Sequence, residues 1–252
     1  MKKIQVNTSH ILKFLTALTA FAALFMAGCN RNSEDENQKL TGKFVNGTFL
    51  SKVSDSIPGL IPVYCYQLDF NGTDSVDVLY GFEQTKLAYQ KTGNKYKIIN
   101  ALKDEDMIFV LNEDEGITLI DSAWNGTTKN STFKKSKSNF VTALNERIIA
   151  GEYKIFKDDK QTPQNVTLNA DGTISGLEKF TNYTLCYSGD CVSEIYPISN
   201  SITFSNEKTE KVMYAFKIDK IKKSLEIYHI EAPIRDIKGE RAVKGVAFDL
   251  RQ

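Results

Sequence analysis

Large apolar residues recur at every second position through much of this chain, in short runs closed off by turn dipeptides, and that pattern leaves little room for anything but antiparallel β-structure. Tyr64, Tyr66, Leu68 and Phe70 alternate with Cys65, Gln67 and Asp69. A strand sends successive side chains to opposite faces, so the four bulky groups are expected on one face. Val212, Tyr214, Phe216 and Ile218 repeat the pattern, as do Ile202 with Phe204, and Val246, Phe248 and Leu250. Further strands are expected around residues 77–82, 96–99, 108–111, 117–120 and 166–168. Between them stand Asn71-Gly72, Thr92-Gly93-Asn94, Glu115-Gly116, Asn125-Gly126, Asp171-Gly172 and Ser188-Gly189-Asp190. Such sequences supply the positive φ angles that tight hairpins require.

One stretch departs from this rhythm. Over residues 138–150, Phe140, Leu144 and Ile148 recur at four-residue steps with Val141 and Ala143 beside them, which predicts one amphipathic helix stopped by Gly151. The preceding run, residues 127–137, is rich in Lys, Ser and Thr and reads as a loop. The helix separates two halves that open alike, with Gly42-Lys43-Phe44-Val45 and Gly151-Glu152-Tyr153-Lys154. The expected fold is therefore mainly β: two tandem antiparallel β-barrel domains, residues 40–135 and 151–252, joined by a short helix within residues 136–150. Closing each sheet on itself removes the exposed edges that short hairpins would otherwise leave.

The Gly-x-aromatic opening and the helix at the end of a barrel resemble the lipocalin-like barrel lipoproteins. Lipocalins carry tryptophan at the aromatic position, where this chain has Phe44 and Tyr153. A ligand-binding barrel of this kind implies a lumen with space inside, here lined by Tyr64, Tyr66, Tyr214 and Phe216, whereas an interaction module would be filled solid. There is a more distant similarity to the two-barrel envelope lipoproteins linked to copper resistance and surface sensing, whose Cys-x-x-Cys pair this chain lacks.

The N-terminus sets the expected compartment. Lys2, Lys3 and Lys13 are the only charges before Arg31, and FLTALTAFAALFMAG between Lys13 and Cys29 is apolar or small throughout. That run is shorter than the roughly 20 residues needed to span a bilayer, so a removed export signal over residues 1–28 fits better than a retained helix. Met26-Ala27-Gly28-Cys29 resembles the lipobox of bacterial lipoproteins. The resemblance implies cleavage before Cys29, diacylglycerol on its thiol and an acyl chain on the new amine, an anchor stronger than the two lipid signals that stable attachment needs. Residues 29–39 then form a lipidated cysteine and a flexible polar tether, because the stretch holds three consecutive acids and nothing apolar to bury. Serine followed by acids just after the lipidated cysteine also resembles the surface-export signals of Bacteroidota-type lipoproteins. The expected location is the outer membrane, lipid-anchored, facing either the cell surface or the periplasm.

Losing Lys2, Lys3 and Lys13 changes the balance of 32 basic and 31 acidic residues to 29 and 31. No clustered basic charge points to nucleic acid. Of the remaining cysteines, Cys186 and Cys191 flank a four-residue loop whose ends would stand opposite one another across a hairpin. That separation suits a disulfide, and an exported chain would form it, with a contribution of roughly 2 kcal/mol. Cys65 is left without an evident partner, on the face opposite Tyr64 and Tyr66.

Enzyme chemistry has few candidates. The chain has two histidines, and His10 departs with the signal, so only His229 could serve as a catalytic base; its parity with Leu225 and Ile227 predicts a partly buried strand residue. No metal-ligand cluster, phosphate-binding loop or nucleophile elbow is present in the sequence, and no cofactor is expected. The acidic runs Asp104-Glu105-Asp106 and Glu113-Asp114-Glu115 read as solvated turns. Ser56, Ser75 and Ser122, each between Asp and an aliphatic residue, are similar to sites O-glycosylated in Bacteroidota-type envelope proteins. The sequence therefore points to a non-catalytic lipoprotein whose partner is an envelope protein, a glycan or a small apolar ligand, or to a structural or envelope-sensing lipoprotein with no bound ligand. Replacing Cys29 by Ala should release the protein from the membrane fraction and abolish incorporation of labelled acyl chains. Membrane retention of that variant would contradict the anchor.

Overall fold

The computed structural model describes residues 39–102, 105–120, 130–189, 195–196, 200–206, 211–231 and 241–252. The period-two segments of the first half become β1 (Thr41–Asn46), β2 (Gln67–Asn71), β3 (Ser75–Tyr80), β4 (Glu83–Thr92), β5 (Lys95–Leu102), β6 (Glu105–Leu111), β7 (Ile117–Leu119) and β8 (Thr132–Ser136). They close into an antiparallel barrel in sequence order, and β8 completes the ring by pairing Phe133 with Asn46 and Lys135 with Phe44 on β1. Glycine supplies the positive φ of the hairpins at Gly72, Gly81 and Gly93. Helix α1 (Gly47–Lys52) follows β1 directly, and the Asn46 carboxamide caps it by accepting from Phe49 N at 2.8 Å. The same buried side chain donates to Cys65 O at 2.9 Å, which satisfies both ends of its amide.

The barrel interior is packed with side chains. Phe70 meets Phe44, Tyr89 and Phe109 with ring centroids 5.8, 5.0 and 5.9 Å apart, and Tyr96 stacks on Phe109 at 5.1 Å. Val76, Val78, Ile98, Met107 and Ile117 fill the remainder, each with no exposed area. Every large apolar side chain so buried contributes on the order of 1.5–3 kcal/mol, which makes this interior a core.

Helix α2 (Phe140–Ile148) follows, capped by Asn139, whose side chain accepts from Thr142 N at 2.8 Å. Then come β9 (Gly151–Lys157), β10 (Lys160–Leu168), β11 (Ile174–Ser175), β12 (Asn182–Leu185), β13 (Ile195–Tyr196), β14 (Ser201–Ser205), β15 (Val212–Asp219), β16 (Ser224–Ile230) and β17 (Arg241–Arg251). They form a nine-stranded sheet in the order β11-β10-β9-β17-β16-β15-β14-β12, with β13 parallel beside β17. The sequence predicts a second barrel here; the structure shows a sheet whose outer strands meet through one bridge, Thr173 with Asn182, and through Tyr183 N donating to Gly172 O at 2.7 Å. β11 is only two residues long and is followed by Gly176, where φ is +87° and any Cβ would collide with Asn165 O.

The helix does more than join the two halves. Phe140 and Leu144 are fully buried in a core that draws Val45, Phe49, Val53, Ile61 and Tyr66 from the first half and Val166, Leu185, Tyr187, Ile202, Phe216 and Leu250 from the second. Its N-terminus is held from the barrel side, where Gln67 Oε1 accepts from Phe140 N at 2.8 Å. Residues Leu40–Gln252 accordingly make one compact unit with two cores, and every residue of both cores lies inside it.

Four further expectations are corrected. Residues 132–136 of the supposed loop are β8: only Phe133 points inward, and the exposed Lys134 and Lys135 hide the alternation. Gly151 does not stop the helix, which ends at Ile148; it opens β9, where a Cβ would meet Gln252 Nε2 at 2.7 Å. Glu105 and Asp106 lie in β6, and Asp106 accepts from Asn100 N at 3.0 Å. A register shift in the β16–β17 pairing leaves Val246 exposed, off the face its spacing with Phe248 and Leu250 predicted, and His229, expected to be partly buried, keeps its face beside Tyr214 but is exposed there. β4 and α1 carried no readable signal, being polar and short respectively.

Truncating Phe140 to Ala should cost about 3–5 kcal/mol and should lower the denaturation midpoint of both lobes together. Coincident transitions by tyrosine fluorescence and far-ultraviolet circular dichroism of the 40–252 unit would bear this out; two separated transitions would refute a shared core.

Candidate functional site

Tyr64 and Tyr66 do not begin a strand. Pro58 and Pro62 bracket an irregular crossing, with a 3-10 turn over Pro58–Leu60, and regular pairing starts only at Gln67. The crossing turns Tyr64 and Cys65 into the barrel core and Tyr66 into the shared core, so parity across 64–70 holds for Tyr64 with Leu68 and Phe70 but fails at Cys65 and Tyr66. The tip of the β3–β4 hairpin, Gly81-Phe82, reaches the second half, where Tyr187 Oη donates to Gly81 O at 2.6 Å and the Phe82 and Tyr187 rings lie 4.7 Å apart. Between the crossing and this tip runs a cleft of about 560 Å³, lined by Ile61, Tyr64, Tyr66, Tyr80, Phe82 and Ser188 among others. Phe82 and Leu60 stand 54% and 59% exposed at this end of the molecule.

The polar groups of the cleft are largely engaged. Tyr64 and Tyr80 share a short hydroxyl–hydroxyl bond and their oxygens lie 3.2 and 2.9 Å from Ala101 O, so one hydroxyl donates to the other and the second donates to the carbonyl. Burial pushes the Tyr64 phenol far above its usual range, reinforced by Cys65 and Tyr80, and burial raises Tyr80 as well. Cys65 is fully buried behind them and its thiol is pushed well up by the same desolvation. The thiolate is the reactive form of cysteine, so burial here makes Cys65 an inert filler. Tyr187 is raised to about 12, again by burial. These groups can stack, bury apolar surface and hold hydrogen bonds, but none of them is poised to exchange protons near neutral pH.

The remaining sequence candidates scatter. Tyr214 packs among Phe180, Phe204 and Phe248 with its ring 5.6 Å from that of His229. Phe216 and Ser56 line a second cleft. The four aromatic residues expected to line one lumen are therefore divided between two cores and line no common space. Ser75 is half-buried with its hydroxyl 2.9 Å from Thr73 Oγ1. Cys29, Cys191, Ser122, the whole of residues 1–28 and all of the tether except Lys39 lie outside the described residues.

Neither a protein-family model, nor a curated protein, nor a solved structure matches this chain. Among the described residues no group of three or more His, Cys, Asp or Glu converges as a metal site, and no helix is long and apolar enough to cross a membrane.

The cleft residue that sequence reasoning missed is Phe82. Its signal was the Tyr80-Gly81-Phe82 turn, since a large aromatic at a two-residue hairpin tip has no core of its own to enter.

Folding raises the Cys65, Tyr64 and Tyr80 pKa values, so the stability they contribute is complete below the unfolded thiol value of about 8.5 and is lost as pH climbs through the unfolded phenol value of about 10 and beyond. Denaturation midpoints should fall across that alkaline window. Iodoacetamide at pH 8 should leave Cys65 unmodified until denaturant is added; rapid alkylation of the folded chain would contradict its burial.

Proposed function

We propose that this protein is a lipid-anchored lipoprotein of the bacterial envelope that binds a partner, without catalysis, on its outer surface. The observation that carries the reading is the aromatic cleft under Phe82, set against a barrel interior filled by Phe70, Phe109, Phe133 and Tyr96. Exposed apolar side chains gathered beside a cleft mark an interaction site, whereas a lumen packed with aromatic rings offers no ligand volume. A partner protein or glycan that offers an apolar face with hydrogen-bonding groups beside it suits the cleft, because the Tyr64, Tyr66, Tyr80 and Phe82 rings line it next to the polar Glu83 and Ser188.

Anchoring rests on the lipobox-like Met26-Ala27-Gly28-Cys29 and places the unit at the outer membrane, on the surface or the periplasmic side. The Cys186–Cys191 disulfide belongs to the same reading: Cys65 is the free thiol of the described residues and Cys186 is not one. Ser56, exposed beside Asp55, is the most accessible of the described serines proposed for O-glycosylation.

The experiment is site-specific photo-cross-linking in the cells that make the protein. A photoreactive phenylalanine analogue at position 82 should give a discrete adduct, which the same analogue at the equally exposed position 246 should not give. Equal labelling at both positions, or none at position 82, would remove the cleft from the argument.

A further inference from the structure

A second cleft, of about 820 Å³, lies where the 3-10 turn over Val53–Asp55 faces the end of α2 and the β15–β16 hairpin. Its walls are apolar: Val53, Ile57, Pro58, Ile148, Phe216 and Ile218 all line it. Ile221, 95% exposed at the hairpin tip, extends the apolar wall outward. A volume of this size falls within the roughly 300–1,000 Å³ typical of small-molecule sites.

The charges around those walls are unevenly matched. Lys220 of the tip forms an ion pair with Asp55 of the facing turn, and the Asp219 carboxylate accepts from Ile221 N and Lys222 N at 3.0 and 2.9 Å. Both acids are thereby engaged. Arg147 and Lys217 line the same cleft with no salt bridge among the described residues; their fields reach the acids only as secondary influences on Asp55 and Asp219. The cleft thus holds three cations against two occupied carboxylates. A different kind of unmet need sits in its wall. Asn200 Oδ1 is buried and has no hydrogen-bond partner, a state that costs on the order of 1–3 kcal/mol until a donor arrives.

We infer that this cleft binds a small anionic amphiphile, with a carboxylate, sulfonate or phosphate facing Arg147 and Lys217 and an aromatic or aliphatic body against Ile57, Ile148 and Phe216. A hydrogen-bond donor on the body meets Asn200, whose amide turns toward the cleft to accept it. Unpaired cations at the mouth of an apolar cleft select for negative charge, the apolar walls select for a hydrophobic body, and the orphaned acceptor selects for an N–H or O–H. The site shares no residue with the cleft under Phe82, so it stands or falls independently of the proposal made for that cleft.

The test uses the 40–252 unit and two probes with the same body. 1-Anilinonaphthalene-8-sulfonate carries an aromatic body, a bridging N–H and a sulfonate; N-phenyl-1-naphthylamine is the same molecule without the sulfonate. The sulfonate should bind saturably at one site and at least about tenfold more tightly than the neutral probe. The exposed substitutions Arg147→Glu and Lys217→Glu should each erase most of that difference while leaving the circular dichroism spectrum unchanged. Asn200→Ala should weaken both probes alike, and Phe82→Ser should weaken neither. Equal affinity for the two probes, indifference to Arg147→Glu and Lys217→Glu, loss of binding in Phe82→Ser, or no saturable binding at all would each overturn the assignment.

Discussion

Everything in the Leu40–Gln252 unit turns on how Phe140 is seated. Its backbone amide is held by Gln67 of the barrel, and its ring lies 5.5 Å from Phe49, 4.8 Å from Tyr66 and 5.1 Å from Tyr187. Those partners come from α1, from the crossing before β2 and from the segment after β12. A single side chain therefore joins material from both halves, and the helix that carries it acts as the common wall of the two lobes. Removing the ring would leave a cavity bounded by these three aromatic groups, of which Tyr66 also packs on Phe49 and Tyr187 at 5.1 and 4.8 Å.

The buried polar groups explain why that seating is unique. Asn46 closes β1, caps α1 and grips the crossing through Cys65 O, so three local conformations depend on one carboxamide. Gln67 does the same for α2. Fully satisfied buried amides have few alternative placements, because any shift strands a donor or acceptor away from water. Neither residue looked special in the sequence: Gln67 occupied a place in an alternating run, and Asn46 belonged to an Asn-Gly-Thr triplet. Their roles depend on partners 73 and 19 residues away, which no local pattern can announce.

The strand content was legible because burial on one face imprints period two wherever the opposite face is polar. It failed where the imprint was interrupted. β8 offered one inward residue among lysines, β4 showed almost none, and the register shift in β16–β17 turned Val246 outward although its spacing with Phe248 and Leu250 said otherwise. The aromatic candidates were read with correct chemistry and incorrect company: Tyr64 and Tyr66 are adjacent in parity yet part at a proline-bracketed crossing. The clefts themselves were invisible, since each is assembled from segments far apart in sequence, as Asp55 and Lys220 illustrate with 165 residues between them.

Both lobes pair their first strand with their last, β1 with β8 and β9 with β17. A chain that emerges N-terminus first must therefore keep its earliest strand waiting, with backbone donors and acceptors uncovered, until the final strand of that lobe has been delivered. Such long-range closure is slow and leaves adhesive edges in the interim. The cost falls during biogenesis, as an interval in which the ring stands open and one edge of its first strand is available to other chains, although the finished molecule hides every trace of it.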